Sequence, residues 1–225
     1  MPPIAQLNPS EVSLLDALAE YDYLTQAQLV IITGLAASVV CELLKRLRLY
    51  GWVKGLTLLR PAAYQLTYTG ARIVDAPVPK ERAYPAIQHV VHTAQALLRL
   101  RDEFPSARLM RRRTLYAHGL HPSVGEHAAK FDDGWIFFLV DDYHMRPGRV
   151  GDSWTRTHTP VGRFVDISRL RARGEFLVTR WSDAVLHYRV FTTDEQQVRR
   201  FARAAERADV PAQVAHMKPV WRLSK

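Results

Sequence analysis

Five acids crowd one short stretch of the chain: Glu126, Asp132, Asp133, Asp141 and Asp142 lie within 17 residues. Two or three such carboxylates can hold magnesium beside a scissile phosphate, which is what a metal-dependent nuclease requires. Glu126, Asp132 and Asp141 form the candidate set, with Lys130 on the face of Asp132 by strand alternation. That chemistry also wants a lysine two residues after the second acid, on the same strand face. Asp142, Tyr143 and His144 follow Asp141, so none is there. Asp133 before Gly134 has a plain structural use as a hairpin turn. The expectation is therefore a chain that is not an enzyme, with no catalytic residue.

Other reactive side chains carry less. His118, His121 and His127 have no partner cysteine, and His89 and His92 sit on an amphipathic helical pattern without needing a ligand. Cys41 has only Lys45 near it to favour a thiolate, so it reads as a small passive residue. Neither a metal nor a cofactor is expected. Phosphate-binding glycine loops, serine elbows and dinucleotide fingerprints are absent.

The cations make a stronger pattern. Between residues 38 and 72 one acid, Glu42, faces Lys45, Arg46, Arg48, Lys54, Arg60 and Arg72, a local charge of +5. Ser38, Cys41, Glu42, Lys45 and Arg48 share the outward face of one helical pattern, together with Ala36, Ala37 and Leu49, and so make a surface suited to a major groove. Arg46, Lys54 and Arg60 are placed to hold the phosphate backbone. A second run, Arg111, Arg112 and Arg113, falls on a strand pattern that sends its side chains to both faces. It serves either as a charged edge strand or as a secondary DNA contact.

The elements that must position these residues follow from periodicity. Helices are expected from about Ser10 to Tyr21, from Gln26 to Thr33 behind a Thr25 cap, and from Ala36 to Tyr50 with Gly51 as its stop. Val40, Leu43, Leu44 and Leu47 form the inward side of the third. Strands at Trp52–Leu58 and Ala63–Thr67 flank a proline-bearing connector, and a short helix starts near Thr69. Three helices, strand, loop and strand is the order of a winged helix-turn-helix. Pro77, Pro79 and Pro85 mark a linker. Beyond it come a helix over Ala86–Phe104 and strands at Arg108–Tyr116, Ala128–Asp132, Trp135–Val140, Phe176–Arg180 and Leu186–Phe191. A helix capped by Thr193 and a last strand at Val214–Trp221 complete the chain. The expected division is a winged helix over 1–76, a linker over 77–85 and an α/β domain with a mixed sheet over 86–225. The fold class is α+β.

The whole sequence of 225 residues is 48% hydrophobic and 24% charged, which excludes a wholly disordered chain. Thirty-one basic residues against 22 acidic give a net charge of +9, which favours polyanionic partners. One cysteine excludes an internal disulfide and, with no basic or apolar leader, the cytoplasm is the expected compartment. The most apolar stretch, Leu29–Val40, is too short to cross a bilayer, so no membrane role is expected.

The run Ala36-Ala37-Ser38-Val39-Val40-Cys41-Glu42-Leu43-Leu44-Lys45-Arg46-Leu47-Arg48-Leu49-Tyr50-Gly51-Trp52-Val53, followed by Tyr64-Gln65-Leu66-Thr67-Tyr68-Thr69-Gly70-Ala71, is similar to the winged-helix pattern of bacterial regulators. With Leu24-Thr25-Gln26-Ala27-Gln28-Leu29 before it, the first third of the chain resembles the replication-relaxation family. The resemblance implies a double-stranded-DNA-binding protein of a plasmid or conjugative element, an accessory of replication or the relaxosome or a transcriptional regulator. A homodimer is expected, the C-terminal domain serving to dimerise, to contact a partner such as a relaxase or other DNA-processing protein, or to extend the DNA contact; the resemblance implies a restriction-endonuclease-like form for that domain. The alternatives are a magnesium-dependent PD-(D/E)xK-like nuclease and a winged-helix protein-interaction module. Glu42 departs from the pattern, standing where such helices often carry arginine.

Overall fold

The computed structural model describes residues 7–57, 59–110, 127–131, 134–142 and 186–221. The chain forms two compact units, Met1–Leu98 with Val220–Lys225, and Arg99–Pro219. This moves the division expected at 76 and 86. The long helix belongs to the first unit as far as Leu98, three quarters of its length, and Ile87 and Val91 are buried there with Tyr23, Ala63 and Trp221. The proline-bearing segment expected as a linker is fastened to that unit too. The Lys80 carbonyl accepts from the Tyr23 hydroxyl and from Gln65 Nε2, each at 3.3 Å. Glu81 pairs with Lys54 and Arg82 with Asp22.

The first unit begins with α1 (Pro9–Tyr21), whose start is set by a capping box: Asn8 accepts from the Glu11 N–H while Glu11 accepts from the Asn8 N–H. Leu14, Leu15 and Leu18 are its buried stripe. β1 (Leu24–Thr25) leads into α2 (Gln26–Thr33), where Thr25 and Gln28 repeat the capping box and Gly34 takes the left-handed C-terminal position at φ 69°. α3 (Ala37–Leu49) buries Val40, Leu43, Leu44 and Leu47, the face its periodicity implies. β2 (Val53–Leu56) and β3 (Ala63–Leu66) then form an antiparallel pair, with β1 on the other side of β3. Three helices, a strand pair and a third short strand match the order of a winged helix. Thr67 caps α4 (Tyr68–Ile73). Gly70 sits so close to the Trp52 carbonyl that a Cβ would collide with it. α5 (Tyr84–Glu103) closes the unit and continues into the next.

The second unit carries a five-stranded sheet ordered β4 (Arg108–Met110), β5 (His127–Phe131), β6 (Gly134–Asp141), β7 (Leu186–Thr192) and β8 (Ala212–His216). β4, β5 and β6 are antiparallel neighbours, while β6, β7 and β8 run parallel. Phe131 pairs with Gly134, as a two-residue hairpin requires, although Asp132 and Asp133 lie outside the described residues. α6 (Glu195–Arg207) packs Phe201 and Ala205 against Ala128, Phe137, Tyr188 and Val190.

Two local expectations are corrected. The cap of α6 is Asp194, which accepts from the Gln196 N–H, whereas the Thr193 hydroxyl donates to the Asp141 carbonyl at 3.4 Å. The last strand stops at His216, and Val220 and Trp221 return to the first unit because its core takes the indole. The strand expected at Phe176–Arg180 and the end of the one at Arg108–Tyr116 lie outside the described residues. Among the described residues no single helix is long and apolar enough to cross a membrane.

Candidate nucleic-acid interface

Burying Val40, Leu43, Leu44 and Leu47 on one side of α3 leaves the opposite side open by helical geometry alone. Ser38, Glu42, Lys45, Arg48 and Leu49 are exposed and Cys41 is half-buried. The N-terminus of α3 has no side-chain cap, since Ala36 stands at the N-cap, so its first N–H groups are open to an outside acceptor.

The cations converge where α3 meets the wing. One shallow depression is lined by Lys45, Arg48, Leu49, Val53, Lys54 and Gly55, bringing three positive side chains from two elements to one hollow. Gly55 makes room for it: a Cβ there would stand 3.2 Å from the Tyr64 ring and 3.5 Å from Arg48 Nε. Arg48 has no ion pair among the described residues. The other two cations are held by exposed acids. Lys45 Nζ is 2.7 Å from Glu42 Oε1, and the hydrogen bond to Glu42 pushes the ammonium pKa up. Lys54 Nζ is 2.9 Å from Glu81 Oε1, and that hydrogen bond holds the Glu81 carboxyl below its ordinary range. Arg60 is exposed on the connector between β2 and β3, next to Pro61, whose carbonyl accepts from Trp221 Nε1 at 2.6 Å.

Arg46 is corrected. Expected as a backbone-holding residue, it turns to α1, where Nη2 lies 2.8 Å from Oε1 of the buried Glu11. A buried carboxylate needs a counter-charge, and Arg46 on the flank of α3 supplies it. Periodicity finds the outward face of α3 but not which of its flanks meets α1. Val39, 41% exposed, is the surface residue that sequence reasoning left out. It lines a second hollow with Ser38, Glu42 and Lys45. The Glu42–Lys45 pair had a signal, since opposite charges three apart on a helix meet.

Most of the other candidates lie outside the described residues. Arg111, Arg112 and Arg113 lie outside the described residues, as do Glu126, Asp132, His118 and His121. Asp141 is buried at the end of β6, its Oδ2 accepting from Thr192 Oγ1 at 2.8 Å, while Lys130 is exposed on β5. Among the described residues no group of three His, Cys, Asp or Glu is placed to hold a metal ion. His92 is fully buried and its Nε2 accepts from the Val220 N–H at 3.1 Å, a structural use. His127 stacks on Phe138.

No protein-family model matches the chain, and no curated protein does. Among solved structures it is similar to the oxidized form of MarR from E. coli, at 18% identity and a TM-score of 0.30. The alignment covers 42% of this chain and 62% of that one, so the chain spans less than two thirds of that structure's length.

Proposed function

We propose that this chain binds double-stranded DNA through its first unit, with α3 in a major groove and the β2–β3 wing against the backbone. The observation that carries this is the hollow between α3 and β2 lined by Lys45, Arg48 and Lys54, a placement that suits one phosphate track. Ser38, Val39, Cys41 and Glu42 then face base edges, a small and mixed set that a groove admits. Val39 supplies an apolar contact for a thymine methyl and Glu42 an acceptor for a cytosine amino group.

The biological setting follows from the family resemblance: a homodimeric accessory of replication or of a relaxosome, working beside a relaxase, or a transcriptional regulator of a mobile element, in the cytoplasm. The role is non-catalytic binding without a cofactor. The test is a Lys45→Ala, Arg48→Ala double variant against duplexes selected from random sequence. It keeps the parent's thermal unfolding and loses affinity for the selected site at least about tenfold at moderate salt, since two phosphate contacts go. Equal affinity of parent and variant sinks α3 as the reader. Negligible parent affinity even at low salt assigns the unit to protein recognition. Cleavage of supercoiled plasmid with magnesium, lost in Asp141→Ala, would replace binding by nuclease chemistry.

A further inference from the structure

The second unit has a charged surface that the winged helix does not explain. On α6, Arg199, Arg203 and Arg207 recur every fourth residue, and Arg200 lies beside them. At 100° per residue the four fall within an arc of about 100°, the arc opposite Phe201 and Ala205. All four arginines are exposed, while Phe201 and Ala205 are buried in the core of the sheet. The helix acids stand aside: Glu195 and Glu206 project together at one edge of that arc. Arg200 Nη1 donates to Gln197 Oε1 at 3.3 Å, and none of the four has an ion pair among the described residues. Arg189 of the same unit is the contrast, held by Glu103 at 3.1 Å.

We propose that this stripe is a second, sequence-independent contact to the phosphate backbone of duplex DNA. Packing against the sheet fixes the roll of α6, so the arginines are presented together. Arg199 to Arg207 spans about 12 Å along the axis, and one DNA strand offers a phosphate every ~3.4 Å of its own axis, so the stripe meets about three. Guanidinium groups fit phosphate oxygens in a fork. An acidic membrane is the poorer match, because helices that lie on membranes insert an apolar face and that of α6 is occupied by the sheet.

The test uses the full chain, a short duplex of arbitrary sequence, and anisotropy across a salt series. An Arg199→Gln, Arg203→Gln, Arg207→Gln triple variant binds that duplex at least about tenfold more weakly, and the slope of log affinity against log salt falls by roughly 2–3. The matching triple to lysine keeps most of the affinity and the slope. Parent-like affinity and slope in the glutamine triple overturn the proposal, and so does equal loss in the lysine triple, which would make charge irrelevant. Arginine-dependent binding to phosphatidylserine vesicles with unchanged duplex binding overturns it in favour of a membrane. The contact does not depend on α3: in the Lys45→Ala, Arg48→Ala background the stripe leaves residual, salt-sensitive, unselective binding. Failure of site selection by α3 therefore leaves this readout standing.

Discussion

Arg46 and Arg48 stand two residues apart on α3 and do opposite work. Arg46 neutralises a carboxylate that is only 5% exposed, while Arg48 is unpaired among the described residues and lines the hollow beside the wing. Arg46→Ala leaves Glu11 buried without its counter-charge. Because the arginine itself is partly solvated, the cost is about 1–3 kcal/mol rather than that of a fully buried pair. A lowered midpoint of thermal unfolding, with unchanged duplex affinity for the folded protein, is the expected result; Arg48→Ala gives the reverse. On the proposed function, a duplex competes with Glu81 for Lys54. Glu81 is ionised at neutral pH as any exposed glutamate is, and Lys54 lowers its carboxyl further, so the competition persists there. Glu81→Gln removes it and tightens duplex binding about two- to fivefold, the scale of an exposed ion pair. The check is anisotropy at low salt, and site preference stays as in the parent.

Elements were legible wherever a local signal fixes them. Thr25 with Gln28 starts α2, Gly34 ends it, and the Val40, Leu43, Leu44, Leu47 stripe orients α3, all within a few residues of chain. What escaped depends on neighbours distant in sequence. β1 is two residues long and exists only because it pairs with β3. Trp221 reads as part of a strand until the cluster around Tyr23 and Ile87 claims it. The outward face of α3 was visible for the same reason its core was, while the Arg46–Glu11 pair joins residues far apart in the chain. The junction of α4 with the sheet is a further element-scale case. Gly70→Ala drives a methyl into the Trp52 carbonyl and costs about 1–3 kcal/mol, as overpacking does. Urea unfolding measures it, and a loss near zero would mean that α4 shifts freely.

At the scale of the molecule, the second unit is inserted into the first, which is completed by Val220 and Trp221. Trp221 joins an apolar cluster and donates to the Pro61 carbonyl beside exposed Arg60. Trp221→Ala lowers stability by about 3–5 kcal/mol, as removal of a buried aromatic does. Trp221→Phe keeps the ring and costs closer to about 1 kcal/mol for the lost hydrogen bond. Thermal unfolding of the two variants separates packing from bonding. The insertion also sets an order of events on the ribosome. Residues up to 98 emerge first, yet the indole that seals their core is made after the whole inserted unit. At typical elongation speeds that interval is roughly 6–24 s. Until then the first unit lacks the side chain that packs against Tyr23, Ala63 and Ile87, and a chain cut before residue 221 is expected to show at least the stability loss of Trp221→Ala.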